Sequence, residues 1–388
     1  IKKQSTPFTT STLQQSASND FKMSPKMTMS ACQTLYEGGF ITYMRTDSIT
    51  YSIDFIESVK KFILSEYSPE FIRTDIDSLS LRICGDKNAQ EAHESIRPTD
   101  VLLKEVDIEM GVNERRLYKL IWRNTVESCM PDARFSVLKA SVSAPDEHSY
   151  RYSAEQVVFP GWMVVNGYEK ISSIYAYLQS LKNEIVVPYN NITAKLTLQN
   201  LKSHYTESRL VHLLEKNGIG RPSTFSSLVD KIQERKYVKK TNVKGKKIKC
   251  IDYELLEDEI LEHEVERVFG NENNKLVIEP LGIIVIEFLI DNFNKLFDYD
   301  YTKTMENSLD QIAEGDKLWY HLCKECLDEI DTLSSHISDD KHNIRVDEKH
   351  TYLIGKYGPV IKCVDNEKTT FKKVNPDIDF DKLRDGIY

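Results

Sequence analysis

Tyr43 and Arg45 stand two residues apart in the run Gly38-Gly39-Phe40-Ile41-Thr42-Tyr43-Met44-Arg45-Thr46-Asp47-Ser48. Its β-branched and aromatic residues make Phe40–Thr46 read as a short strand. A period of two then puts Ile41, Tyr43 and Arg45 on one side. A phenol and a guanidinium facing the same space suit a phosphate, with the phenolic oxygen attacking phosphorus and the guanidinium forking onto its oxygens. An unperturbed phenol has a pKa of about 10, so a phenolic nucleophile needs such help at neutral pH. Just upstream, Gln33 and Glu37 lie i, i+4 on one helix face, within reach of the same space. Spacing alone also fits a packing tyrosine with a solvated arginine beside it.

Two further stretches carry polar chemistry. Asn88-Ala89-Gln90-Glu91-Ala92-His93-Glu94-Ser95-Ile96-Arg97-Pro98-Thr99 holds a histidine that is either a structural hydrogen-bonder or a group sensing pH near neutrality. Arg97 either holds phosphate or braces the loop before Pro98. Ile219-Gly220-Arg221-Pro222-Ser223-Thr224-Phe225 turns the chain and starts a helix at Ser223 or Thr224. Free backbone N–H groups, two hydroxyls and the Arg221 guanidinium converge there, a phosphate site at a helix N-terminus. A plain helix cap explains the serine and threonine equally well.

The elements that position these residues follow from pattern. Ser11 or Thr12 caps a first helix, and Ser24-Pro25 opens a second. In the second, Met29, Cys32 and Tyr36 form a stripe with Ala31 and Leu35 beside it, and Gly38-Gly39 ends it. Helical periods also mark 53–67 and 114–130, whereas 74–86 reads as loop. Residues 135–201 read as β-like, with alternation at Val137–Val142 and Ile192–Leu198. Thr206 caps a helix that Asn217-Gly218 ends, and another apolar helix spans about 281–293. Arg235–Lys249 carries eight basic residues and no acidic one, and Asp252–Glu266 carries eight acidic residues and no Lys or Arg. Asn242-Val243-Lys244-Gly245 reads as a hairpin tip; the basic run is either a solvated face or a DNA contact. Cys323-Lys324-Glu325-Cys326 sits in a helical pattern and reads as two packing thiols rather than a zinc site. Residues 334–348 read as a linker, and Tyr352–Lys362 as a hairpin whose Tyr357 either stacks on a base or packs within it.

At 388 residues the chain has room for roughly two to four domains. Its formal net charge of −9 argues against a nucleic-acid partner only on average, since the basic run is local. Seven cysteines without framework spacing fit a reducing compartment. No stretch reaches the roughly 18 apolar residues of a membrane span, so a soluble intracellular protein is expected. No Walker loop is present. The abundance of Asn, Lys, Ile and Tyr fits an AT-rich genome, cellular or viral.

The run Tyr36–Ser48 resembles the active-site signature of the type IA DNA topoisomerases, and Ala92–Thr99 resembles a family motif beside the nucleophile. Phe159-Pro160-Gly161-Trp162, Gly218–Phe225 with Ile232–Val238, Tyr299–Glu306 and Ile312–Gly315 resemble further family segments in family order. The resemblance covers 3 to about 330, and 352–362 weakly resembles small C-terminal repeats of bacterial members. It implies a multidomain α+β torus: a helical domain with the nucleophilic tyrosine (1–130), a β arch (131–201), a winged-helix-like helical DNA-binding domain (202–335), a linker (336–347) and a small β module (348–388). It implies that Tyr43 cleaves one DNA strand through a 5′-phosphotyrosine without ATP, that Arg45 and His93 assist at the scissile phosphate, and that Gln33, Glu37, Thr46 and Asp47 line the cleft. Arg97, Arg221, Ser223 and Thr224 would hold DNA. His204 departs from the pattern, which often has arginine there. Mg²⁺ would be held by an acidic Toprim domain that the resemblance places before residue 1, making this chain a piece inactive alone. The partner would be single-stranded or negatively supercoiled DNA and the protein a monomer. A non-catalytic single-strand-binding protein is the rival reading.

Overall fold

The computed structural model describes residues 1–80, 93–107, 109–169, 172–335, 344–355, 358–365 and 368–374. It mixes helix and sheet, as expected, in two compact units: Ile1–Lys202 with Gly245–Gly270, and Ser203–Lys244 with Asn271–Tyr388.

The first unit is built on four helices, α1 (Thr10–Phe21), α2 (Pro25–Glu37), α3 (Ile53–Glu66) and α4 (Val112–Ser128). Each buries one stripe in a common core that includes Leu13, Leu35, Val59, Ile63, Leu117 and Ile121. Thr9 caps α1 in a capping box with Thr12, whereas the sequence pointed to Ser11 or Thr12. Ser11 is buried instead, two residues past the cap. Ser24 and Pro25 open α2 as expected. Its buried stripe is Thr28, Ala31, Cys32 and Leu35, which leaves Tyr36 40% exposed.

Past Pro131 the unit changes to β structure. Strands β1 (Arg134–Ser143) and β2 (Ser149–Phe159) pair antiparallel over their whole length. A tight turn at Gly161 returns the chain to α4: φ is +51°, and a Cβ there would lie 2.3 Å from the Pro131 carbonyl oxygen. The expected β run to 201 is interrupted by a helix, α5 (Ser173–Ser180), capped by Ser172. Its two turns are too short for a helical period to show in sequence. Tyr175 packs it on the β1–β2 pair, with its hydroxyl 2.7 Å from that of Ser136.

Strand β3 (Asn191–Ala194) pairs with β5 (Lys246–Leu256), which pairs with β6 (Glu259–Phe269). The expected hairpin tip at Asn242–Gly245 is therefore wrong. The tip is Glu257-Asp258, between the paired Leu256 and Glu259. Strand β4 (Val238–Val243) belongs to another sheet and pairs with β7 (Glu272–Ile278). The basic run is thus divided between two sheets. Lys240 is neutralised by Glu207 at 2.6 Å and Lys247 by Glu266 at 3.1 Å.

In the second unit α6 (Glu207–Lys216) and α7 (Phe225–Glu234) pack through Val211, Phe225 and Val229. Thr206 caps α6 and Asn217 closes it, as expected. Helices α8 (Pro280–Phe293), α9 (Tyr299–Glu314) and α10 (Trp319–Ser334) follow. Cys323 and Cys326 lie on α10, but Cys323 is exposed and so does not pack. Strands β8 (Ile344–Arg345), β9 (His350–Gly355), β10 (Gly358–Asp365) and β11 (Lys368–Lys373) form one sheet around the buried Tyr352 and Cys363. Strands β9 and β10 are the expected hairpin; Tyr357 lies outside the described residues, as does most of the expected linker.

Candidate active site

After α2 the chain needs a sharp reversal, and Gly39 supplies it at φ +75°. The next residues are not the strand their types suggest. Among the described residues no neighbouring strand runs beside them; Ile41 makes an isolated bridge to Pro98. The segment is pinned point by point instead. Thr42 N donates to the Arg97 carbonyl at 2.9 Å, and Thr99 N to the Phe40 carbonyl at 2.9 Å. The buried Thr10 hydroxyl donates to the carbonyls of Met44 at 2.8 Å and Thr46 at 3.0 Å, and accepts from Thr46 N at 2.9 Å. This anchoring sets the burial pattern. Ile41, Met44 and Thr46 turn inward, Tyr43 is half-buried, and Arg45 and Asp47 reach solvent. Ile41 therefore does not share a side with Tyr43 and Arg45.

The Tyr43 ring stands between two others. The His93 ring centroid is 5.0 Å away and that of Tyr36 is 5.4 Å away, edge-on. Arg45 is exposed, and among the described residues nothing pairs with its guanidinium. Gln33 donates to Glu37 at 2.6 Å along the exposed face of α2, the i, i+4 contact their spacing allows. Thr46 is 4% exposed and its hydroxyl accepts from Ser48 N at 3.0 Å, so its contribution is to hold the loop.

The loop carrying His93 is fastened through the residues that follow it. Ser95 N donates to the Thr50 carbonyl and Ser95 Oγ to the Phe8 carbonyl. The Thr42 hydroxyl donates to the Ser95 carbonyl at 2.8 Å and accepts from Arg97 N at 3.0 Å. Of the two readings for Arg97, the bracing one matches its contacts. Its guanidinium forks onto Glu94 at 2.8 and 2.6 Å, donates to the Pro98 carbonyl at 2.8 Å and lies 4.1 Å from the centre of the Phe55 ring. Glu94 also accepts from Ser52 N at 2.9 Å. Glu94 and Thr10 were not singled out in sequence. An acid three residues before Arg97 was the available signal for Glu94; nothing local marks Thr10.

The turn before α7 belongs to the second unit and stands by itself. Thr224 is the N-cap residue and Ser223 is exposed. The Thr224 hydroxyl accepts from Arg221 N at 2.9 Å. The Arg221 guanidinium does not point into open space: Nη2 donates to Asp310 at 2.6 Å, Nη1 donates to the Gly220 carbonyl, and Glu306 is 3.9 Å away. Phosphate binding there requires exchange with the α9 carboxylates. His204 pairs with Glu272, whose carboxyl is held down at about 2, chiefly by that hydrogen bond.

Among the described residues no three or more His, Cys, Asp or Glu converge as a metal site, and no helix is long and apolar enough to cross a membrane.

Comparison with known proteins gives these features a common frame. Residues 1–251 match the family model described as DNA topoisomerase. A mimivirus protein named DNA topoisomerase 1 type prokaryotic (Acanthamoeba polyphaga mimivirus) is 34% identical over 98% of this chain, which spans 48% of that protein. DNA topoisomerase 1 of Escherichia coli is 34% identical over 81% of this chain, covering 32% of its own length. This chain therefore spans half or less of these relatives. Full-length topoisomerase I from Thermotoga maritima has the same fold, with a TM-score of 0.64, 23% identity, and coverage of 95% of this chain and 58% of its own. The Tyr36–Ser48 and Ala92–Thr99 motifs lie inside the matched region, and by that match the chain belongs to the type IA DNA topoisomerase family.

Proposed function

We propose that this chain carries the strand-cleaving tyrosine of a topoisomerase that relaxes negatively supercoiled DNA without ATP. The observation that carries this is Tyr43, half-buried on a pinned loop, with the His93 ring 5.0 Å away and Arg45, exposed and unpaired among the described residues, two residues on. In the reaction, Tyr43 Oη bonds to the scissile phosphorus and loses its proton. The bond from phosphorus to the 3′ oxygen breaks, and that oxygen takes up a proton. One strand end is then held as a 5′-phosphotyrosine and the other is a free 3′-OH. The reverse attack reseals the strand after another has passed. A phosphodiester is exchanged for a phosphodiester, so no ATP is consumed.

Arg45 stabilises the charge that gathers on the phosphate oxygens, and His93 adds a second donor; such preorganised donors are worth on the order of a hundredfold or more each. Gln33, Glu37 and Asp47 line the cleft, Thr46 holds its loop, and Arg97 braces it. Mg²⁺ is the family's expected cofactor, but the described residues do not fit it, and no step above passes through a metal. In the second unit, Ser223, Thr224 and Arg221 receive strand phosphate. The helix pair α6–α7 next to the β4–β7 pair supports a winged-helix-like domain within 202–335, and the paired β1–β2 ribbon supports an arch from 131 to 201. The acting unit is a monomer on single-stranded or negatively supercoiled DNA.

Plasmid relaxation tests the reading. The full-length protein with Mg²⁺ and no ATP is expected to relax a negatively supercoiled plasmid, and its Tyr43→Phe variant is not. Undiminished relaxation by that variant would overturn it.

A further inference from the structure

The first unit has a second polar cleft, lined by no residue of the Tyr43 or His93 loops. It has a cavity of about 390 Å³ between the end of α1, Tyr67 just past α3, residues 104–105, α4 and the turn at 165–166. Its floor is apolar and aromatic: Phe21, Tyr67, Leu120, Trp122 and Val165. Four cationic side chains, Lys104, Arg116, Lys119 and Arg123, surround that floor.

Those cations are poorly spent on their own protein. Arg116 is exposed, with no partner among the described residues. Arg123 Nε is buried without a hydrogen-bond acceptor among the described residues, and the carboxylates of Asp20 and Glu127 stay 3.6 Å from the guanidinium. Lys119 pairs with Glu105 and Lys104 with Glu66, but all four side chains are 42–66% exposed, where ion pairs contribute little and exchange freely. An anion of higher charge competes well for such groups, and arginine fits phosphate through two parallel N–H donors. A cavity of this size holds a small ligand, and the aromatic floor suits a planar ring.

We propose that this cleft binds a nucleotide unit, its phosphate on Arg116, Lys119 and Arg123 and its base over the Tyr67–Trp122 floor. The same chemistry comes either from a free mononucleotide or from a strand of DNA, and the experiment separates the two. The inference does not depend on the function proposed for Tyr43.

Deoxyadenosine monophosphate, a short oligothymidylate and inorganic phosphate are titrated separately into this chain, with heat of binding and tryptophan fluorescence as readouts. Saturable, salt-sensitive binding is expected for the mononucleotide, the oligonucleotide or both, and weaker binding for inorganic phosphate. Binding of the mononucleotide marks a small-molecule site and binding of the oligonucleotide alone a strand site; either supports the proposal where the variants below weaken it, since the turn before α7 is a separate candidate for strand phosphate. Arg116→Ala with Lys119→Ala is expected to weaken that binding about 10-fold or more at an unchanged melting temperature. If the double variant loses its melting transition, Arg116→Glu alone is used, since that side chain is exposed. Absence of saturation by both nucleotide probes below about 1 mM overturns the proposal. So does an affinity that both variants leave unchanged.

Discussion

Two arginines and a glutamate show how differently a charged side chain is used. Arg97 is 11% exposed and forks onto Glu94, 19% exposed, beneath the His93 loop. Removing it strands a largely buried carboxylate, which costs about 2–4 kcal/mol. Arg97→Ala is therefore expected to lower the melting temperature sharply. Arg221 is less buried, 28% exposed against a partner, Asp310, that is 36% exposed, and is expected to behave otherwise: Arg221→Ala should shift stability by about 1 kcal/mol or less yet weaken DNA binding. Circular dichroism melts and anisotropy on both variants check the contrast, and a large melting loss with no binding loss for Arg221→Ala would make it purely structural. Glu127, 6% exposed, has its carboxyl pushed up from 4.5 to about 7, first by burial, against opposing pulls from Arg123 and the Ser5 hydroxyl. Its folded pKa lies above its unfolded one, so the folded state holds the extra proton between the two. Stability from this group is full below about pH 4.5 and lost as pH rises through about 7. Glu127→Gln is expected to gain about 1–3 kcal/mol relative to wild type on going from pH 4 to pH 8, measured by urea melts. No pH-dependent difference would contradict the burial argument.

At the scale of elements, what was legible was what local rules decide. Helices with apolar stripes and explicit caps, such as α2 and α6, were visible because their period and end residues agree, and α3 by its period alone. The Tyr43 segment was misread as a strand because its residue types favour β structure while its partners are remote. Thr10 is 34 residues from Met44, and Thr42 is 55 from Arg97. The hairpin at 242–245 failed for the same reason, since β4 is claimed by β7 across a whole inserted ribbon. Tyr43 and His93, whose rings lie 5.0 Å apart, were both singled out in sequence; the fastening of their loops through Thr10 and Glu94 was not. Thr10→Val keeps the shape, removes the hydroxyl and leaves the buried Thr46 N–H and its carbonyl neighbours without their partner. A loss of about 1–3 kcal/mol is expected, together with slower strand cleavage in the full-length protein. Wild-type melting and cleavage in this variant would show that the loop is held by something else.

At the scale of the molecule, the two units carry two different tasks in this account: bond chemistry in the first, strand phosphate at the α7 N-terminus in the second. A net charge of −9 is compatible with that division because part of the acidic excess, Glu257, Asp258 and Glu259, is gathered at the β5–β6 tip. The chain is expected to bind single-stranded DNA more tightly than blunt duplex at one fixed salt concentration, and to lose affinity as salt rises and counterion release weakens. Equal affinities by fluorescence anisotropy would count against a single-strand site.

The central claim is that Tyr43 is the nucleophile, and the most direct measurement is to find the DNA on it. Full-length protein with Mg²⁺ is incubated with a labelled single strand, denatured, digested and analysed by mass spectrometry. The account predicts a nucleotide linked through its 5′ phosphate to the peptide containing Tyr43, and no adduct from Tyr43→Phe, which loses one oxygen and little volume. An adduct that persists in Tyr43→Phe, or one that maps to another residue in the wild type, would contradict it.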